Sequence, residues 1–188
     1  LYEHKGFDGF EIEASKQLFS MYNIPYPSWP VLNKSFYNPL FLKIYCESYR
    51  GHDFNLDGGF ITIILRYIDK INFEISKKAD YSANLNFPIK VALSLAEKML
   101  DNKSLGLIYD EALSIVDSIT AQHYKGNFLE LLIKENLFIC FKRVSAIGIE
   151  NWIVFNFQLF DDYLKAKVIV DSGNINIIDF VKGGSGVS

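Results

Sequence analysis

Through most of this chain the apolar residues recur three and four positions apart, the spacing that lines one face of an α-helix. Late in the sequence that rhythm gives way to two short runs, LFICFKR (137–143) and NWIVFNF (151–157), rich in β-branched and aromatic residues. Those runs read as strands. A helical stripe must bury against other elements, and an isolated two-stranded hairpin is marginal in water. The change of period therefore predicts a mainly α fold with one small β-hairpin packed on the helices.

Caps and breakers divide the pattern. Asp8 before GFE, with Glu11 three residues on, resembles a capping box and predicts a helix over 9–22 with Phe10, Ala14, Leu18 and Tyr22 on one side. IPYPSWP (24–30) holds three prolines and ends it. Asn38 suits the N-cap and Pro39 the first helical position, where its missing N–H costs nothing; LFLKIYCESYR follows, and Gly51 suits the C′ position. Asp57 caps a helix over 58–79 that carries Phe60, Ile64, Tyr67, Ile68, Ile71 and Ile75 on one side.

The polar stretch ADYSANLN (79–86) breaks the pattern, and a domain boundary is placed there. Beyond it, Pro88 opens a helix to about residue 101, DNKSLG reads as a loop, and helices follow over 109–119 and 127–136, separated by the turn HYKGN. The two strands, with a hairpin loop containing Gly148 between them, lead to a closing helix over 160–170. Three helices and then a hairpin is the order of a winged helix. The expected organisation is a helical subdomain over 1–80, a winged-helix domain over 87–172, and a linker or the start of another element over 173–188.

Composition removes several classes of function. Of 188 residues, 49% are apolar and 15% aromatic, so the chain can bury a core and is not disordered. A net charge of −3 argues against a general nucleic-acid binder. Cys46 and Cys140 are the only cysteines and both sit in apolar contexts, which suits small buried hydrophobes and makes neither a disulfide scaffold nor a zinc cluster. The longest apolar run, GFITIIL (59–65), is too short to span a bilayer and meets Arg66, and the start has no signal-peptide pattern, so a cytoplasmic protein is expected. The opening at Leu1 and the GGSGVS end read as a piece of something larger.

Little in the chain points to catalysis. Asp110-Glu111 and Asp161-Asp162 are sequence neighbours and diverge on a helix, and His4, His52 and His123 lack metal-ligand spacing. GGSGVS has glycines but no Lys-Ser/Thr pair, so no phosphate-binding loop of the Walker type is present. The third helix of the winged-helix order, NFLELLIKEN, carries Glu130 and Glu135 against Lys134, the wrong sign for reading DNA, although Lys142 and Arg143 lie in the hairpin. Two alternatives stay open: a winged-helix DNA-binding regulator, and a helical protein-interaction module anchored by Trp29 and Trp152.

Four segments in order carry a family resemblance. FYNPLFLKIYCESY resembles the NPLFLK helix that follows the ATPase core in prokaryotic STAND NTPases, which are related to NACHT and AAA+ proteins, and most of all in antiviral members that sense phage proteins. EASKQLFSMYNIPYPSWPVLNKSF, LDGGFITIILRYIDKINFEISKKADY and WIVFNFQLFDDYLKAKVIV are similar to the segments before and after it. The resemblance implies a helical lid and a winged helix that clamp ADP in a closed state, with ATP exchange freeing the winged helix for activation. It implies ATP or ADP as ligand, with Mg held by an ATPase core outside this chain. The implied partners are that core, a C-terminal sensor triggered by a phage protein, and further copies in a homo-oligomer; the net charge separately argues against nucleic acid, and the short apolar runs against a membrane. The fragment itself is then non-catalytic. On the same resemblance Asn38, Pro39 and Leu40 form the adenine-contacting motif. Asn156 and Phe157 stand where NACHT proteins carry a phosphate-contacting His. Neither is His, which leaves Asn156 as a possible donor and favours Phe157 as core.

Overall fold

The computed structural model describes residues 7, 9–28, 34–54, 59–145 and 148–173. They form a mainly helical protein with one three-stranded antiparallel sheet. The helices are α1 (Glu11–Met21), α2 (Pro39–Ser48), α3 (Gly59–Ala79), α4 (Phe87–Asp101), α5 (Tyr109–Thr120), α6 (Phe128–Lys134) and α7 (Gln158–Asp171), and the strands β1 (Leu107–Ile108), β2 (Phe138–Ser145) and β3 (Gly148–Phe155). Short 3-10 turns cover Lys34–Tyr37 and Ala83–Leu85. The chain divides into two compact units, Leu1–Lys70 and Ile71–Ser188, and the division falls within α3, ahead of the polar stretch 79–86. Among the described residues no helix is long and apolar enough to cross a membrane.

In the first unit, α1 begins two residues later than its sequence suggests. Its N-cap position is Phe10, without a side-chain cap, and Glu11 Oε1 reaches back to accept from Gly9 N at 2.8 Å. The expected cap Asp8 lies outside the described residues, as do Asp57, Trp29, His4 and GGSGVS. The buried face of α1 is Ser15 and Phe19, whereas Phe10 is 70% exposed. The expected stripe is therefore rotated, because Phe19 is drawn into an aromatic cluster. Its ring stacks on Tyr45 at 5.6 Å, and Phe36 meets Tyr45 edge-on at 5.0 Å. On α3 the expected stripe does turn inward, with Ile64, Tyr67 and Ile68 buried here and Ile71 and Ile75 buried in the second unit.

The second unit is built on α4, whose Phe87, Val91, Ala92, Leu95, Ala96 and Met99 are buried and which packs on α5 and α7. The order from α4 through β1, α5, α6, β2 and β3, with the strands arranged β1-β3-β2, is that of a winged helix. Both hairpin strands run further than the sequence indicates, to Ser145 and from Gly148, so the connection between them is shorter than the expected loop over 144–150. α6 is shorter than expected at both ends, and it starts where Asn127 Oδ1 accepts from Glu130 N at 3.1 Å.

The sequence reading missed β1, which lies just after the DNKSLG loop; two residues are too few to show a period. What makes the strand possible is Gly106, where a Cβ would lie 2.6 Å from Ile153 O and 2.7 Å from Val154 Cγ1. Gly106 lets Leu107 and Ile108 approach β3 in register with Ile153 and Trp152. Gly106→Ala should lower the unfolding free energy of this unit by roughly 1–3 kcal/mol, as overpacking does, checked by urea denaturation.

Candidate functional site

The start of α2 is built by its first residues. Asn38 has an extended backbone (φ −82°, ψ 115°), and its Oδ1 accepts from Leu40 N at 2.9 Å and Phe41 N at 3.2 Å. Leu42 N donates to Asn38 O at 3.0 Å, and Pro39 has no N–H to give. The first turn therefore has no unpaired backbone donor. The cap consumes the N–H groups of this helix start, so none of them is left for a ligand.

What α2 presents instead is apolar, with one polar edge. Pro39 is half-buried, Leu40 is 38% exposed, and the Asn38 side chain is exposed, its Nδ2 making no hydrogen bond among the described residues. Phe41 and Leu42 are buried behind them, Phe41 stacked on Phe60 at 5.2 Å, which fixes the helix start in place. A rigid pyrrolidine beside an aliphatic chain and one amide donor is chemistry that suits a flat heteroaromatic base.

Asn156 and Phe157 belong to the second unit, at the passage from β3 to α7. Asn156 N donates to Leu137 O at 3.1 Å and Asn156 Nδ2 to Asn136 O at 3.0 Å. Its amide thus closes the turn between α6 and β2, where Asn136 is held at φ +60°. Phe157 is 9% exposed, packs edge-on against Phe160 at 5.0 Å, and supplies the carbonyl that receives Phe160 N and Asp161 N. It is a core residue that starts α7.

On the winged-helix side, the acidic groups of α6 are engaged. The Tyr109 hydroxyl donates to Glu130 Oε1 at 2.8 Å and receives Asn127 Nδ2 at 2.7 Å, while Glu135 pairs with Lys78. Burial raises the Tyr109 phenol above its ordinary value, and the Glu135 carboxylate raises the Lys78 ammonium. Sequence reasoning had seen the charge of Glu130 but not this network, because its partners lie on α5 and in the turn. In the hairpin, Arg143 lies over the Trp152 ring at 4.4 Å and opposite Glu150, and Trp152 Nε1 donates to Glu150 Oε2.

Neither thiol is activated. Burial pushes Cys46 up to about 12, and it also raises exposed Cys140, with Glu130 adding to the effect. No group of three His, Cys, Asp or Glu side chains among the described residues is placed to hold a metal ion. A shallow groove of about 440 Å³ lies at the α5–α6 turn, lined by Leu113, Asp117, Ala121, Tyr124, Lys125 and Asn127 among others; of the residues described above it contains Asn127 and none of Asn38, Pro39, Leu40, Asn156 and Phe157. Set against family models, curated proteins and solved structures, the chain matches none of them.

Proposed function

We propose that this chain is the nucleotide-gated switch module, a helical lid followed by a winged helix, of a cytoplasmic STAND ATPase acting in antiphage defence. The observation that carries the reading is the start of α2 within FYNPLFLK: half-buried Pro39 and exposed Leu40 form an apolar edge on a helix whose first N–H groups Asn38 has already satisfied. Such an edge can take the face of adenine, and Asn38 Nδ2 can donate to a ring nitrogen. The winged-helix order of the second unit and the acidic, internally bonded α6 support the same reading over a DNA-reading one. The phosphates and Mg would belong to the ATPase core, with Asn156 and Phe157 serving to anchor α7. Sensor, trigger protein and oligomer partners would join through other parts of the parent chain.

The test joins this module to its ATPase core and measures the ADP that survives gel filtration. Leu40→Asp, which puts a charge on the proposed adenine face at an exposed position, should lower retention about tenfold or more, the cost of desolvating a carboxylate against a base. Pro39→Ala should lower it less. Retention unchanged in both variants, with the fold intact by circular dichroism, would refute the clamp.

A further inference from the structure

The first unit carries a charged patch that the overall charge of −3 conceals. Lys43, Glu47 and Arg50 fall at i, i+4 and i+7 along α2 and its C-terminal turn, and Arg66 and Lys70 share one face of α3. Glu47 joins the rows: Oε2 accepts from Lys70 Nζ at 2.7 Å, and Oε1 lies 3.8 Å from Lys43 Nζ. Tyrosine rings lie beside the cations. Arg50 is 5.0 Å from the centroid of Tyr22, Arg66 is 4.6 Å from that of Tyr49, and Lys70 Nζ is 5.8 Å from that of Tyr67. Of the four cations, Lys43 and Lys70 thus share one carboxylate, while Arg50 and Arg66 lie over rings. Among the described residues neither Arg50 nor Arg66 makes an ion pair, and nor does Asp69, the exposed acid next to Lys70.

A guanidinium stacked on a ring is held flat, loses little further freedom on binding, and keeps its N–H edge for an oxyanion. Both arginines are exposed. We propose that this patch is a sequence-independent contact surface for the phosphodiester backbone of a nucleic acid. Affinity for a backbone follows the local excess of cations rather than the charge of the whole chain. Tyr49 and Tyr67 are buried beneath the cations and the half-buried Tyr22 ring is covered by Arg50, so the patch offers no projecting aromatic to anchor a protein partner and no free ring on which a base can stack. Contacts limited to phosphates position a strand without reading it. The surface belongs to the first unit and the acidic α6 to the second, and the proposal does not rest on the nucleotide-switch reading.

The experiment is fluorescence anisotropy of the whole chain with labelled 20-mers of mixed sequence, single-stranded and duplex. Between 50 and 200 mM salt, binding should weaken about 20-fold for the single strand and about 40-fold for the duplex, as expected of three phosphate contacts. Arg50→Gln with Arg66→Gln should weaken binding at 50 mM salt by about tenfold or more and flatten the salt slope by nearly two contacts. Glu47→Gln works the other way: removing the carboxylate that pairs with Lys43 and Lys70 should tighten binding about threefold or more. A folding defect cannot imitate that gain. No binding at 50 mM salt, no loss in the double variant, or no gain with Glu47→Gln overturns the proposal. Competition by poly-L-glutamate as effective as that by unlabelled oligonucleotide also overturns it, in favour of an acidic protein partner.

Discussion

Phe19→Ala should cost the first unit about 3–5 kcal/mol of unfolding free energy, the range for truncating a fully buried aromatic in a close-packed core. Phe19 is 0% exposed and touches four aromatic neighbours, with ring centroids of Tyr26 at 5.6 Å, Phe36 at 6.3 Å, Tyr45 at 5.6 Å and Phe54 at 5.6 Å. Those neighbours come from the segment after α1, from the 3-10 turn, from α2 and from the segment after α2, so one side chain ties four stretches of chain together. They cannot close the resulting hole without giving up their own contacts, for instance the 5.0 Å edge-on contact of Phe36 with Tyr45. Leu18 supplies the control. It stands on the stripe that the sequence favoured but is only half-buried, so Leu18→Ala should cost well under half as much. Urea denaturation followed by near-ultraviolet circular dichroism, which senses the ring cluster, measures both. Equal costs for the two variants would mean that the core is not centred on Phe19.

That rotated face shows where sequence reasoning stops. Periodicity and caps located α2, α3, α4 and α5 within a residue or so of where they lie, because Asn38, Pro39 and Pro88 act locally and the stripe on α3 repeats five times. On α1 two apolar registers compete, one through Leu18 and one through Phe19, and only the aromatics of other segments decide between them. Gly106 is a similar case: its role depends on β3, some fifty residues on, and neither β1 nor the close approach leaves a local mark.

The candidate site divides in the same way. That Asn38 would cap and Pro39 would lead was legible, since both effects act within three residues. That the cap would leave none of these N–H groups for a ligand follows from the same geometry, yet it takes distances to establish. Asn156 was legible as a donor but not its acceptor, because the Asn136 carbonyl is brought to it by the turn after α6.

Asn72→Ala should lower the unfolding free energy of the second unit by roughly 2–4 kcal/mol, the cost of leaving several partly buried polar groups without partners. Asn72 is 6% exposed on α3. Its Nδ2 donates to Ala83 O at 2.7 Å and to Asn86 Oδ1 at 2.9 Å, and its Oδ1 accepts from the Tyr81 hydroxyl at 2.8 Å. One amide thereby holds the connection from α3 to α4, in which Asp80 and Asn86 both take left-handed backbone angles of φ +51°. Asn72→Leu, close in volume, should cost a similar amount, because the unpaired partners dominate and not the cavity. Tyr81→Phe alone should cost about 1 kcal/mol, and in the double variant with Asn72→Ala the costs should fall short of their sum by about that amount, since both act on one bond. Burial raises the Tyr81 phenol above its ordinary 10.0. The neutral hydroxyl is favoured in the folded chain, so its contribution is complete below that value and is lost as pH rises through the folded one. Denaturant titrations above pH 10 should therefore show the second unit weakening, and Tyr81→Phe should flatten that decline. Strictly additive costs for Asn72→Ala and Tyr81→Phe would mean that the two side chains act separately, and that packing of Tyr81 on Phe87 and Phe128, at 5.0 and 5.8 Å, holds the connection instead.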